Sequence, residues 1–260
     1  MTKFLSRRQM FSRTARAAGV LGLGLPLVEG AAQAQAAGAA KSKLKVVIAG
    51  AHPGDPEAGC GGIAVRYSDL GHDVANIYLT RGEAGVRGKS HAEAAAIRTA
   101  EAERACEILK ARLVFAGQMD GATEINAGRY RDFSKILEAE APDIVFTHWP
   151  LDSHRDHRVI PLLVYDVWLA SGKRFPLYYF EVGSGAETSH FWPTHYVDIT
   201  ATEARKRAAC YAHASQNPDE FYGEYHDAMN RFRGLECGRK FAEAFIRHVQ
   251  SPDESLPLAL

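Results

Sequence analysis

Two short stretches of this chain carry residue types that could do chemistry. AHPGDPEAGCGG (51–62) places His52 and Asp55 three residues apart just after an apolar run, and THWPLDSHRDHR (147–158) places His154, Asp156 and His157 just after another. His52, Asp55 and His157 make a three-ligand set of two imidazoles and one carboxylate, the donor count that a catalytic zinc uses while it leaves a fourth position open. His154 and His157 share one side of a helix start by their spacing of three; only one of them needs to bind metal, and the other can stand beside a reacting carbonyl. Each residue also has an ordinary structural role open to it. Asp55 before Pro56 and Glu57 suits a helix N-cap with proline at the first helical position, Asp152 or Ser153 suits a second cap, and His52 suits a satisfied loop histidine. His148, at the end of its strand, reads as structural.

The elements around these stretches alternate. β-rich apolar runs occur at 44–50, 73–80, 112–117, 143–148, 176–182 and 195–200. Helical patterns lie at 56–70, 92–110, 131–140 and 157–170, with two more expected over 202–214 and 219–248, the last broken near Gly234 or Gly238. This alternation implies an α/β fold with a mostly parallel sheet covered by helices on both faces. Ligands of such sheets sit beyond the carboxyl ends of the strands, where strand order reverses beside the first strand. With the order 3-2-1-4-5, the two chemical stretches leave neighbouring strands and face one crevice, although nearly a hundred residues separate them.

The bulk properties set limits. The chain has 260 residues, of which 46% are apolar, enough for one globular domain with a full core. Residues 1–36 read as a cleavable export signal, with a basic start, a short apolar stretch from 17 to 28 and Ala-Gln-Ala steps. Ser6-Arg7-Arg8-Gln9-Met10-Phe11 adds a twin-arginine pair, which points to a periplasmic or extracellular destination by the bacterial route for folded proteins. A linker (37–43) and a single domain (44–260) follow. The leader holds five of the 31 basic residues and one of the 31 acidic ones, so the remainder carries 26 against 30, a net charge of −4. That balance argues against a nucleic-acid partner, and the apolar stretch is too short for stable membrane insertion. The four cysteines, Cys60, Cys106, Cys210 and Cys237, form no CxxC pair, against a zinc ribbon or thioredoxin-type site.

Other readings remain open at this level. GCGGIA (59–64) fits G-x-G-x-x-A, but its glycines fall inside an expected helix instead of the turn after the strand that a dinucleotide needs. VGSGAE (182–187) lacks the G-x-S-x-G elbow of a serine hydrolase. Two histidines and a carboxylate also suit a non-haem Fe2+ site.

AHPGDPE resembles the AHPDD(P)E motif, and HRDHR the HxDH motif, of the PIG-L/LmbE-like deacetylases. YLTRGEAGVRG (78–88), RTAEAERACEIL (98–109) and KRAACYAHASQ (206–216) are similar to further blocks of that family. The resemblance implies a Rossmann-like three-layer fold, a Zn2+ ion and hydrolysis of an N-acetyl group from a glucosamine-type sugar or glycoconjugate. By motif match the metal ligands are His52, Asp55 and His157. His154 matches the histidine that polarises the carbonyl or protonates the leaving amine, oriented by Asp156; Arg98 and Asp120 fall at substrate-contacting positions. The departure is Gly54, where the family carries the aspartate that acts as general base on the attacking water. Glu57, or the His154–Asp156 pair, is expected to replace it. A non-catalytic metal-containing carbohydrate binder is the alternative. Arg81, Glu83 and Arg87, with Trp149 and Trp192, are further candidates for the crevice rim.

Overall fold

The computed structural model describes residues 43–252; the expected leader and all but the end of the linker lie outside the described residues. Strand β1 (Lys45–Gly50) leads into α1 (Asp55–Asp69), and β2 (Asp73–Tyr78), α2 (His91–Leu109), β3 (Arg112–Phe115), α3 (Ala127–Glu140), β4 (Ile144–His148) and α4 (Arg155–Ala170) follow. After these come β5 (Leu177–Phe180), β6 (His195–Asp198), α5 (Glu203–Tyr211), a 3-10 turn (Ala214–Gln216), a π-helical segment (Asp219–His226), α6 (Asp227–Cys237) and β7 (Ala242–Arg247). The strands form one sheet in the order β3-β2-β1-β4-β5-β7-β6. The first five are parallel, in the expected 3-2-1-4-5 order, whereas β7 pairs antiparallel with both β5 and β6. The fold is α/β with a mostly parallel sheet, as the alternation implies.

Alternate residues of β1 feed two cores. Val46 and Ile48 join Ile63, Val65, Tyr67, Leu109 and Ala209 on the face covered by α1, α2 and α5. Val47 and Ala49 join Phe133, Leu137, Ile160, Leu163 and Trp168 on the face covered by α3 and α4. A central strand buried on both sides reads as a continuous apolar run, which is why VVIA carries no polar alternation. No helix among the described residues is long and apolar enough to cross a membrane.

The tail corrects the expected helix over 219–248. Gly238 takes φ +74° and caps α6 after Cys237, and residues 242–247 then form β7. AEAFIR has good helix formers, but in the sheet it seals the edge of β5, with Ala242, Ala244 and Phe245 buried. Tertiary pairing overrides the local propensity here.

The glycine-rich stretch lies inside α1, where the expected helix over 56–70 places it. A Cβ on Gly59 would fall 2.3 Å from the Phe180 ring, one on Gly61 2.8 Å from Lys206 Cγ, and one on Gly62 2.4 Å from Ile199. The missing side chains bring α1 against the sheet and admit the fully buried Lys206, whose ammonium donates to Glu243 Oε1 (2.8 Å) and Asn230 Oδ1 (3.1 Å). We predict that Gly59→Ala destabilises the protein by about 1–3 kcal/mol through overpacking, although helix propensity alone would stabilise it by about 1 kcal/mol. Urea unfolding gives the sign.

Candidate metal centre

The switch point between β1 and β4 does bring the two stretches together. Asp55 is the first residue of α1, and the N-cap is Gly54; the expected Asp55 cap is therefore displaced by one residue. The reason lies in the hydrogen bonds. Asp55 Oδ2 accepts from the backbone N–H of His52 (2.8 Å), which turns its carboxylate out of the helix and toward the crevice. The capping work passes to Glu57, whose Oε2 accepts from Gly54 N–H (3.0 Å).

Asp55 Oδ2 then lies 3.3 Å from His52 Nδ1 and 3.3 Å from His157 Nε2. The ring centroids of His52 and His157 are 5.3 Å apart. Each imidazole has a carboxylate behind it. His52 Nε2 is 3.2 Å from Asp120 Oδ1 and 3.3 Å from Asp156 Oδ2, and His157 Nδ1 is 3.2 Å from Asp152 Oδ1. Backing carboxylates of this kind fix the ring orientation of metal-binding histidines and raise their basicity. Asp55 Oδ2 is therefore within reach of one nitrogen of each ring, and the donor groups whose atoms all lie within 4.8 Å of one another, as a shared divalent cation requires, include His52, His154 and His157, and Asp55, His148 and His157.

The electrostatics agree with that fit. Burial alone would raise the Asp55 carboxyl, but the charge of His157 and hydrogen bonds from His148, His157 and His52 hold it well below the usual carboxylate range. Burial would lower His157, yet Asp55 and Asp152 lift it to about 9. His52 is likewise lifted against burial by Asp120, Asp156 and Asp55. Four carboxylates therefore draw positive charge into one small volume, and protons on the imidazoles compete with a metal for the same electrons.

His148 stands closer to this centre than its structural reading suggests. Its Nε2 lies 3.2 Å from Asp55 Oδ2 and 3.3 Å from Ala51 N, and its ring stacks on His157 at 4.2 Å. Burial and the neighbouring charge of His157 push it down to about 4, so it is a neutral prop for Asp55 and His157.

Three site expectations need correction. Glu57 does not face the crevice: it is fully buried, with Gly54 N–H, Tyr78 OH and Asn76 Nδ2 all donating to its carboxylate, so it caps and packs and cannot serve as base. Asp156 backs His52 and not His154; Gly121 N–H (2.8 Å) and Thr123 Oγ1 (2.5 Å) hold its carboxylate there. His154 is the N-cap of α4, and its Nδ1 accepts from Asp156 N–H (3.3 Å). A neutral His154 in that bond carries its proton on Nε2. Burial and the charges of His52 and His157 lower its pKa, which favours a neutral ring that donates through Nε2 over a proton donor oriented by Asp156.

The crevice holds about 210 Å³, and its walls include His52, Asp55, His154 and His157. Arg98 and Asp120 line it as well. Arg98 is buried and donates through Nη2 to the Pro53 carbonyl, and its Nε and Nη1 have no hydrogen-bond partner among the described residues. Asp120 accepts from Ala84 N–H (3.0 Å) through its other oxygen. Of the rim candidates, Arg81 stacks on Phe115 and Glu83 accepts from Arg81 N–H and Asp120 N–H, so both brace the loops. Trp149 donates to the Ser189 carbonyl, and Trp192 is largely exposed.

Sequence reasoning missed Asp152, behind His157, and the wall residues Glu187 and His213. Asp152 had a signal, but only as a cap. Glu187, which lines the crevice with its Oε2 3.9 Å from His157 Nδ1 and its carboxyl pushed up by burial, had none. His213 sits in the block KRAACYAHASQ, fully buried, with neither ring nitrogen hydrogen-bonded among the described residues.

Gly54 has φ +110°, and a Cβ built on it would meet nothing closer than 3.8 Å, the His213 ring. Space is available; the backbone is what excludes a side chain. Gly54→Asp is expected to lower stability by about 1–3 kcal/mol from that strain and to give no gain in turnover, as read by thermal unfolding and steady-state rates. Asp156→Asn is expected to weaken metal binding about 10–100-fold, whereas His154→Ala leaves metal content near one per chain; elemental analysis and calorimetry separate the two.

The family model for PIG-L, GlcNAc-PI de-N-acetylase, matches residues 47–168, which contain both chemical stretches. The diacetylchitobiose deacetylase of Thermococcus kodakarensis is 29% identical over 223 residues, 79% of this chain and 83% of that protein. The structure of the N,N'-diacetylchitobiose deacetylase of Pyrococcus horikoshii, in complex with an inhibitor, superposes with a TM-score of 0.70 at 26% identity over 79% of this chain and 84% of that one. A hydratase of Pseudomonas putida, acting on 4-carboxy-2-hydroxymuconate, shares the fold at 21% identity and a TM-score of 0.70, covering 82% of this chain and all of its own. With its paired motifs, its strand order and the residues those motifs bring together, the chain is similar to the PIG-L/LmbE-like deacetylases.

Proposed function

We propose that this protein is a metal-dependent amide hydrolase that removes the N-acetyl group from a glucosamine-type sugar or glycoconjugate, with zinc as the metal. The observation that carries the reading is the convergence of His52 Nδ1, His157 Nε2 and Asp55 Oδ2 at an open crevice, each imidazole backed by a carboxylate. The deacetylase relatives favour an acetamido substrate. The twin-arginine leader supports a periplasmic or extracellular location.

A divalent cation bound there supplies Lewis acidity, polarising the acyl oxygen and lowering the pKa of the attacking water. The protein supplies the rest. His154 offers its Nε2–H to the oxygen on which negative charge develops, while Asp156 N–H fixes the ring. Arg98, with two unpartnered nitrogens, binds sugar hydroxyls or the acyl oxygen. The role that Gly54 cannot fill passes to Glu187. Its carboxylate lies on the crevice wall with no hydrogen bond among the described residues, so it is free to take the proton from water as the C–O bond forms. The same proton goes to nitrogen as the C–N bond breaks, leaving acetate and the amine. A positioned base and acid of this kind contributes about 10²–10⁴-fold.

The test is amine release from N-acetylglucosamine and N,N'-diacetylchitobiose with and without chelator. Release that stops on metal removal and returns with Zn2+ is expected; no release from any acetamido sugar by the metal-loaded protein overturns the reading in favour of a carbohydrate binder. Glu187→Gln is expected to reduce kcat at least about tenfold with metal content unchanged, and an unchanged kcat returns the base role to another group.

A further inference from the structure

A second chamber adjoins the crevice. It holds about 290 Å³ and is lined by Gly183, Ala186, Glu220, Tyr225 and His226, and by Glu187, Gln216 and Phe221, which also line the crevice. The crevice alone falls short of the roughly 300–1,000 Å³ typical of pockets that enclose a medium-sized ligand, and the pair of chambers reaches that range. Three features of the chamber bear on what would fill it. Phe221 and Tyr225 present aromatic rings, which cover apolar sugar faces at little entropic cost. His226 is fully buried, and among the described residues neither ring nitrogen has a hydrogen-bond partner. Burial and the charge of Lys206 push its pKa down to about 3, so a neutral imidazole offers one donor and one acceptor. An unmade hydrogen bond on a buried ring is costly, which favours a polar ligand group there. The charged side chains on the chamber wall are Glu187 and Glu220, and among the described residues no lysine or arginine lines it.

We infer that this second chamber takes the group attached to the acetamido sugar and selects an uncharged or cationic group, such as a second sugar or an aminoalkyl chain, over a phosphate or carboxylate. The inference rests on the acetamido-sugar reading above for the occupant of the first chamber. It follows from the lining: a ligand anion would enter beside two carboxylates with no cation to offset them, and in a partly enclosed site that repulsion is weakly screened.

The experiment measures dissociation constants by calorimetry on the metal-loaded protein, alongside amine release. The probes are N,N'-diacetylchitobiose, 2-aminoethyl N-acetylglucosaminide and N-acetylglucosamine 1-phosphate. The first two are expected to bind at least about tenfold more tightly than the phosphate. Glu220→Lys, at an exposed position that tolerates lysine, is expected to shrink that gap about fivefold or more, and Tyr225→Ala to weaken chitobiose more than it weakens the phosphate. Equal affinities within twofold, tighter binding of the phosphate, or an unchanged gap in a folded Glu220→Lys protein overturns the inference. Binding in the expected order without amine release defeats the hydrolase reading and leaves the selectivity standing; absence of binding by all three probes defeats both.

Discussion

Asp55 is the hub on which the centre depends. Its Oδ2 is the atom approached by His52, His148 and His157 together, and it reaches that position because His52 N–H holds it across a three-residue turn. The turn in turn requires Gly54 at φ +110°, a conformation in which L side chains are strained. One local constraint thus aims a carboxylate at the crevice and, by the same stroke, forbids a side chain at the position before it. The capping lost from Asp55 is replaced by Glu57, whose burial follows from that substitution of roles.

Around the hub the charges are arranged in two shells of opposite purpose. Asp55 sits in front of the imidazoles, and Asp120, Asp156 and Asp152 sit behind them. Each rear carboxylate is pinned: Asp156 by Gly121 N–H and Thr123, Asp120 by Ala84 N–H, and Asp152 by His154 N–H (2.8 Å) and Thr188 (2.9 Å). Loops after β2, β3, β4 and β5 each contribute a pin, so the orientation of two side chains draws on most of the carboxyl edge of the sheet. Buried carboxylates with this many donors are stable as anions, which is the condition for a site that attracts a cation.

Part of this was legible in the sequence because the signals were local. A continuous apolar strand, a helix that opens with Asp-Pro-Glu, and histidines three apart are patterns within ten residues, and they located His52, Asp55, His154 and His157 on neighbouring strand ends. No local pattern gives the strand order, which enters only as a supposition for a sheet of this class. Legibility failed where two patterns competed for the same residues. Glu57 looks equally like a base and a helix-opening acid, and only the positions of Tyr78 and Asn76 beneath it decide. Residues 242–247 have helix formers in a sequence that the exposed edge of β5 recruits as a strand. Glu187 lies in a loop with no motif at all, and reaches the crevice because the chain after β5 folds back through the Asp152–Thr188 bridge.

By itself, the sequence determined the α/β class and the meeting of His52, Asp55, His154 and His157 at one crevice, since residue type and strand-end position are enough for those. Tertiary structure alone decided which carboxylate stands behind which imidazole, which acid is sealed in the core and which is left on the wall. Those assignments depend on distances between loops that are remote along the chain, and no local spacing encodes them.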